Sequence, residues 1–113
     1  MYERKIPLNT DCGTVITMLV LGGKWKPWLI SHIHMGTRRP SELQREIGVA
    51  TRRVLTQQLL ELEQNNIVRK VVYAETPPRV EYFLTPLGES LLPIIDRMNA
   101  WGEEHREELI DKI

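Results

Sequence analysis

Two short helical segments separated by a tight turn constrain the fold of this chain more than any other feature. The first is predicted over 41–47, with Ser41 as its cap. Residues 48–50 form the turn, and Thr51 is expected to cap a second helix that ends near residue 65. Asn66 can adopt the left-handed conformation that ends this helix. A helix pair joined this closely is a helix-turn-helix, placed here at about 41–65.

A predicted β-hairpin follows this helix pair directly. Residues 68–74 and 80–84 are rich in Val, Tyr and Phe, which favour extended strands. Pro77 and Pro78 lie between the two runs and exclude a tight two-residue turn, so we expect an open loop. The hairpin at about 68–84 has the position and size of a wing beside a helix-turn-helix.

Helical segments are also predicted on both sides of this unit. Residues 11–21 are apolar nearly all round, and a second helix ends at His34. After the hairpin, residues 86–110 form a last helical stretch that Thr85 caps. Pro93 inside that stretch cannot donate a backbone hydrogen bond, so we expect a kink or a restart there.

This order of elements predicts a single domain over 1–113 of the mainly α (α+β) class, a winged helix-turn-helix. The stretches 11–21 and 86–110 carry more apolar surface than the core of so small a domain can absorb. We therefore expect them to be dimerisation helices.

The charge of the chain is unevenly distributed although its net value is zero. Residues 1–60 hold nine Lys and Arg against four Asp and Glu, whereas residues 61–113 hold six against eleven. One part of the surface can therefore be positive while the rest is acidic. Such a distribution allows binding to nucleic acid, which the net charge alone would argue against.

Two arginines at the start of the second helix of the pair indicate an anionic partner. The positive end of the helix dipole favours Asp or Glu, so Arg52 and Arg53 each cost up to about 1 kcal/mol there. A phosphate or a guanine edge would offset that cost. The predicted core stripe of this helix comprises Leu55, Leu59 and Leu62. Arg53 and Gln57 point away from that stripe, and Arg52 and Thr56 lie beside them.

The side chains on this helix suit duplex DNA. Arginine pairs with guanine, glutamine with adenine, and threonine with a phosphate or a thymine methyl. Further basic residues lie before the helix pair and in the wing, where an exposed solubilising charge is the alternative role. The candidate DNA-binding residues are Arg38, Arg39, Ser41, Thr51, Arg52, Arg53, Thr56, Gln57 and Arg79.

Several short motifs, spread over about 12–105, resemble the HxlR family of bacterial winged-helix regulators. The matching segments are 22–26 (GGKWK), 41–43 (SEL), 54–59 (VLTQQL), 61–63 (ELE), 77–82 (PPRVEY), 84–88 (LTPLG), 91–93 (LLP) and 101–102 (WG). The chain departs from the family pattern at Pro27, Pro40 and Asn66. The resemblance implies a homodimer that binds operator DNA as a repressor or an activator, with the terminal helices packed against the partner.

Cys12 matches the position of a redox- or electrophile-sensing cysteine in some members of the resembled family. A sensor thiol needs a lowered pKa and access to solvent. The start of the first helix would lower the pKa of Cys12, whereas the neighbouring Asp11 would raise it. The alternative is an inert cysteine at a dimer interface.

No pattern of an enzyme, a cofactor site or a metal site is present. His32 and His34 point to different sides of one helix, His105 is isolated, and no glycine-rich phosphate loop or catalytic triad is visible. No apolar run is long enough to span a membrane, and the polar segment 1–10 lacks the features of a signal peptide. A cytoplasmic location is therefore expected.

Two readings of the partner differ in class. The first is a sequence-specific, homodimeric transcription regulator bound to duplex DNA. The second is a winged helix whose basic face docks an acidic protein without specific DNA binding. The doubled arginine favours DNA, since a protein partner would not require that geometry. A small-molecule effector is a further candidate partner, and the aromatic residues available to line its pocket are Trp25, Trp28 and Trp101.

Overall fold

The computed structural model describes residues 11–110, and the predicted polar segment 1–10 lies outside them. The described part is mainly helical with one antiparallel hairpin, which confirms the predicted fold class. Its elements in chain order are α1 Gly13–Leu21, α2 Lys26–His34, α3 Pro40–Ile47, α4 Arg52–Gln64, β1 Val68–Tyr73, β2 Arg79–Leu84, α5 Pro86–Glu89, α6 Leu92–Glu104 and α7 Arg106–Leu109.

The core is built from one apolar stripe of each central helix. Leu29 and Ile33 of α2 are fully buried, as their spacing predicts, while Trp25 is only partly buried against them. The predicted stripe of α4 is buried too, and Val68 and Tyr82 close the core from the hairpin. The core thus fixes α2, α4 and the hairpin relative to one another.

The start of α3 differs from the sequence prediction. Ser41 was expected to cap this helix, but the cap is Arg39, and its side chain makes no capping hydrogen bond. Pro40 occupies the first helical position, where its fixed φ suits a helix and its missing N–H is not needed. Ser41 therefore lies inside the first turn and is exposed.

The ends of α4 follow the predicted local chemistry. The Thr51 hydroxyl accepts a hydrogen bond from the Val54 N–H at 3.2 Å, which satisfies one of the unpaired donors of the first turn. Beyond the other end, Asn66 adopts a left-handed conformation with φ of 59°. Thus Asn66 serves here as the residue that ends the helix.

The hairpin is in register from Val68 opposite Leu84 to Tyr73 opposite Arg79. Each strand differs from its prediction by one residue: β1 ends at Tyr73 rather than at residue 74, and β2 begins at Arg79 rather than at residue 80. The Tyr82 N–H donates to the Arg38 carbonyl at 2.9 Å, which ties the free edge of β2 to the segment before α3.

The helical stretch after the wing is interrupted before Pro93, as predicted. The short helix α5 ends at Glu89, and α6 restarts at Leu92 with Pro93 in its first turn. The Thr85 hydroxyl accepts from the Gly88 N–H at 3.0 Å and donates to the Asn66 carbonyl at 2.7 Å. These two bonds join α5 to the end of α4.

Helix α1 is shorter and more exposed than its sequence predicts. It begins at Gly13 rather than at residue 11, and Cys12 is its N-cap. Only Leu21 of this helix is buried, while Ile16 and Met18 are 46% and 58% exposed. Within one chain, α1 therefore leaves most of its apolar surface uncovered.

Candidate nucleic-acid interface

A groove of 620 Å³ separates the first turns of α3 and α4 from the wing. It brings together five of the predicted site residues from three separate elements: Arg39, Ser41, Arg52, Thr56 and Arg79. Lys70 of β1 also lines it. The groove is therefore bordered by basic side chains on both of its sides.

Arg53 and Gln57 face a different part of the surface. They line a second groove of 390 Å³, in which they meet Gly22 and Gly23 from the turn between α1 and α2. The two arginines of the first turn of α4 thus lie on different flanks of the helix. Each flank has its own predicted DNA-binding pair, Arg52 with Thr56 and Arg53 with Gln57.

The N-terminus of α4 is electrostatically suited to an anion. Its first turn holds Arg52 and Arg53 and no acidic residue, and both arginines are exposed. The dipole of the helix adds further positive potential at the same end. Thr51, also predicted as a DNA contact, uses its hydroxyl to cap the helix.

Two contacts hold α4 against the start of α2. The Lys26 side chain is almost fully buried, and its Nζ lies 3.4 Å from Oε2 of Glu61. The Gln58 Oε1 accepts a hydrogen bond from the Trp25 N–H at 2.9 Å. Neither contact was predicted from the sequence. A buried lysine usually needs a charged partner, but the partner of Lys26 lies on another helix, where no local pattern identifies it. These contacts set the orientation of the exposed face of α4.

Arg39 is held between two carboxylates at the edge of the groove. Its Nε lies 3.8 Å from Oε1 of Glu42 and 3.7 Å from Oε2 of Glu81. Its side chain remains 46% exposed, so the guanidinium can still reach a phosphate. Neither Glu42 nor Glu81 was predicted from the sequence as a partner of Arg39.

Arg79 lies at the tip of the wing, where it is already in contact with its neighbours. Its guanidinium carbon is 4.0 Å from the centre of the Tyr73 ring, and its Nε is 3.1 Å from Oε2 of Glu75. Stacking and pairing restrict the rotamers of this arginine and hold its head near the hairpin loop.

Arg38 does not join the groove. Its guanidinium stacks on the Phe83 ring at 4.4 Å, and Arg69 stacks on the same ring at 4.6 Å. Alternation along β2 places Phe83 and Tyr82 on opposite faces, and Tyr82 faces the groove. Arg38 and Arg39, adjacent in sequence, thus have different partners: Arg38 stacks on Phe83, whereas Arg39 lies near Glu81 and borders the groove.

The thiol of Cys12 lies away from both grooves, at the start of α1. Backbone N–H groups of Val15 and then Thr14 face the sulfur and lower the pKa of Cys12, which stabilises the thiolate. The residue is partly exposed. The pKa of Cys12 is therefore lowered, as expected for a thiol at the start of a helix.

The three tryptophans do not share one pocket. Trp28 lines a groove of 520 Å³ between α2 and α6, together with Met35 and Met98. Trp25 contacts Trp28 with ring centres 5.6 Å apart and ring planes tilted by 40°, but it packs toward the core. Trp101 borders a separate apolar depression on α6. Trp28 and Trp101 therefore border different surface features.

No group of three His, Cys, Asp or Glu side chains in 11–110 is arranged to hold a metal ion. Over the same range, no helix combines the length and apolar character needed to cross a membrane.

Comparisons with known proteins agree with this architecture. A family model described as HxlR-like helix-turn-helix matches residues 20–109. The chain is 43% identical over 111 residues to YybR, an uncharacterized HTH-type transcriptional regulator of Bacillus subtilis (strain 168), covering 96% of this chain and 89% of YybR. The redox regulator HypR in its reduced form superposes with a TM-score of 0.82 at 43% identity, covering 88% of this chain and 99% of HypR.

A second solved structure extends the similarity. The reduced form of the transcriptional regulator YodB from B. subtilis superposes with a TM-score of 0.69 at 33% identity, covering 82% of this chain and 92% of YodB. The family model includes α2 to α6, and each of the three relatives covers more than four fifths of this chain. This chain therefore belongs to the HxlR-like helix-turn-helix family of transcriptional regulators.

Proposed function

We propose that this HxlR-like regulator binds a specific duplex operator as a homodimer, with the start of α4 in the major groove and the wing on the adjacent backbone. The observation that carries the proposal is the pair Arg52 and Arg53 at the exposed N-terminus of α4, without an acidic residue in that turn. Base edges and phosphates offset the cost of this pair.

The two flanks of α4 supply different kinds of contact. Arg53 and Gln57 offer bidentate donors and acceptors of the kind that read guanine and adenine. Arg52 and Thr56 face the wing groove, together with Arg39 and Arg79, where a phosphate strand is the fitting ligand. Base readout and backbone positioning are thus assigned to different flanks of one helix.

Exposed apolar side chains on the terminal helices support a dimer. Ile16 and Met18 of α1 are about half exposed, and so are Ile94, Met98 and Trp101 of α6. Exposed apolar surface of this kind is typical of an interface between subunits. A two-fold dimer would present two copies of α4 about 34 Å apart, one turn of DNA.

Cys12 is proposed as a redox- or electrophile-responsive residue. The support is its lowered pKa and its partial exposure at the N-cap of α1, one of the proposed dimerisation helices. Two similar solved structures are HypR, described as a redox regulator, and YodB, solved in reduced and diamide-treated forms. Modification of Cys12 would change packing at the subunit interface and so the spacing of the two α4 helices.

Selection of bound sites from random duplex DNA tests the proposal. The expected outcome is a palindromic site whose affinity falls steeply with salt, because each phosphate contact releases counterions. An oxidant effect on that affinity should be lost in Cys12→Ser. A protein-interaction module would instead give no enriched site and no steep salt dependence.

Two further elements belong to the same proposal. The protein is expected to act in the cytoplasm, where the operator DNA would lie. An effector, if one binds, is expected at the groove between α2 and α6 that Trp28 lines.

A further inference from the structure

Glu81 is a carboxylate in a wing that is proposed to face phosphate. An acidic residue there repels the DNA backbone, so a purely solubilising charge would be better placed elsewhere. The Glu81 side chain is only 19% exposed, whereas Glu75 near the same wing tip is 51% exposed. Glu81 is therefore held by its neighbours rather than extended into water.

The first neighbour of Glu81 belongs to the helix-turn-helix. Oε2 of Glu81 lies 3.7 Å from Nε of Arg39, the N-cap residue of α3. The backbone of the adjacent residue, Arg38, is joined to β2 by the hydrogen bond from Tyr82. The ion pair thus reinforces a seam where the wing meets the start of α3.

The second neighbour of Glu81 lies toward the tip of the wing. Pairing of Tyr73 with Arg79 and of Val71 with Glu81 places all four side chains on one face of the hairpin. The Glu81 carboxylate serves as the acceptor for the Tyr73 hydroxyl. This interaction is the largest cause of the raised pKa of Tyr73.

Tyr73 in turn supports the wing-tip arginine. The guanidinium of Arg79 lies 4.0 Å from the Tyr73 ring centre. A continuous series of contacts therefore runs from Arg39 through Glu81 and Tyr73 to Arg79. Its two ends, Arg39 and Arg79, also line the wing groove, whereas Glu81 and Tyr73 lie on the other face of the hairpin, which they share with Phe83.

We propose that Glu81 is a positioning residue that ties the wing to the helix-turn-helix, so that Arg39 and Arg79 are presented together to the phosphate backbone. The inference rests on the proposed function, because it concerns how the same surface is preorganised for DNA. Holding two long side chains in place before binding removes part of the entropy cost of ordering them in the complex. Glu81 itself makes no contact with DNA in this scheme.

The test compares Glu81→Gln with Glu42→Gln, using the full chain and the selected operator. Glu42 is the matched control because it lies 3.8 Å from the same Arg39 nitrogen but belongs to α3 and makes no link to the wing. If charge alone mattered, both substitutions would tighten binding by removing a negative charge near DNA.

The positioning role predicts opposite signs for the two variants. Glu42→Gln should tighten operator binding. Glu81→Gln should weaken operator binding by about 3- to 10-fold, because the side chains of Arg39 and Arg79 would then have to be ordered when DNA binds. Glu81→Gln should also reduce the slope of log affinity against log salt by about 1 to 2, as one or two phosphate contacts are lost. Affinity equal to or tighter than that of the wild type would overturn the inference.

Tyr73→Phe provides an independent arm. It keeps the ring under Arg79 but removes the hydroxyl that Glu81 accepts from, so it should weaken binding in the same direction as Glu81→Gln. Wild-type affinity in Tyr73→Phe would show that no link extends to the wing tip, even if Glu81→Gln fails to fold. Failure of the wild-type protein to bind any operator would instead refute the proposed function itself.

Discussion

At the scale of single residues, adjacent positions in the sequence have different roles in the structure. Arg52 faces the wing groove and Arg53 the groove beside Gly22 and Gly23, although both lie in the first turn of α4. A helix turns by about 100° per residue, so neighbours in one turn point to different flanks. Base readout and backbone contact can therefore be tested separately.

Arg53→Ala should weaken operator binding by about 1–3 kcal/mol and relax the preference at one base pair, because a bidentate contact to a base edge is lost. Arg79→Ala is the contrasting variant and should weaken binding to all sequences by a similar factor. Competition assays with operator variants that differ at single base pairs would measure both effects. Unchanged operator affinity in Arg53→Ala would contradict the placement of α4 in the major groove.

The chemistry of Cys12 yields a prediction about pH. Since the backbone at the start of α1 lowers the pKa of Cys12, its thiolate persists to lower pH in the folded protein than in the unfolded chain. The rate of alkylation by iodoacetamide, measured against pH, should therefore have a lower midpoint in native protein than in urea. A higher midpoint in the native protein would argue against a sensor role.

At the scale of elements, one close approach decides how α5 packs. Gly88 is buried, and a Cβ atom at this position would collide with the carbonyl oxygen of Ile67, in the segment that follows α4. The Thr85 hydroxyl, which accepts from the Gly88 N–H, holds α5 in this place. The path of the chain from the wing into α6 thus depends on a residue without a side chain.

Gly88→Ala should lower the free energy of unfolding by about 1–3 kcal/mol, because the backbone must shift to admit the methyl group. Gly102→Ala is the matched control, since nothing lies within 4 Å of a Cβ atom there. Within α6, that substitution should be neutral or stabilising by up to about 1 kcal/mol through helix propensity. Urea unfolding followed by circular dichroism would measure both, and equal stabilities would contradict the close approach.

At the scale of the whole molecule, five of the thirteen large apolar side chains that remain exposed among residues 11–110 lie on α1 and α6. Met98 and Trp101 are 49% and 58% exposed, and the depression they border is lined almost entirely by apolar atoms. The folded single chain therefore has apolar surface on its terminal helices that a second copy would cover.

Met98→Glu should shift the protein from dimer to monomer, because an unpaired charge would be buried at the interface. Val72→Glu is the control: Val72 is 58% exposed but lies on the wing, so the dimer should persist. Sedimentation velocity at several concentrations would distinguish the two states. A dimer that survives Met98→Glu unchanged would place the interface elsewhere.

The local features of this protein were predictable from its sequence. The cap at Thr51, the left-handed Asn66 and the restart before Pro93 depend on residues within one turn of one another. Such interactions have the same geometry wherever the helix lies, so short-range patterns identify them. The cap at Ser41 was predicted wrongly because the preceding Pro40 begins the helix one residue earlier.

Only the tertiary structure decided which charged groups meet. It gave Arg38 and Arg39 different partners, buried Lys26 against Glu61, and brought Glu81 to Arg39 across 42 positions of sequence. These outcomes depend on the angles between helices and wing, which the packing of the core sets and no local pattern encodes. The sequence by itself therefore determined the elements and the positive start of α4, while the packing of those elements determined the arrangement of the surface around it.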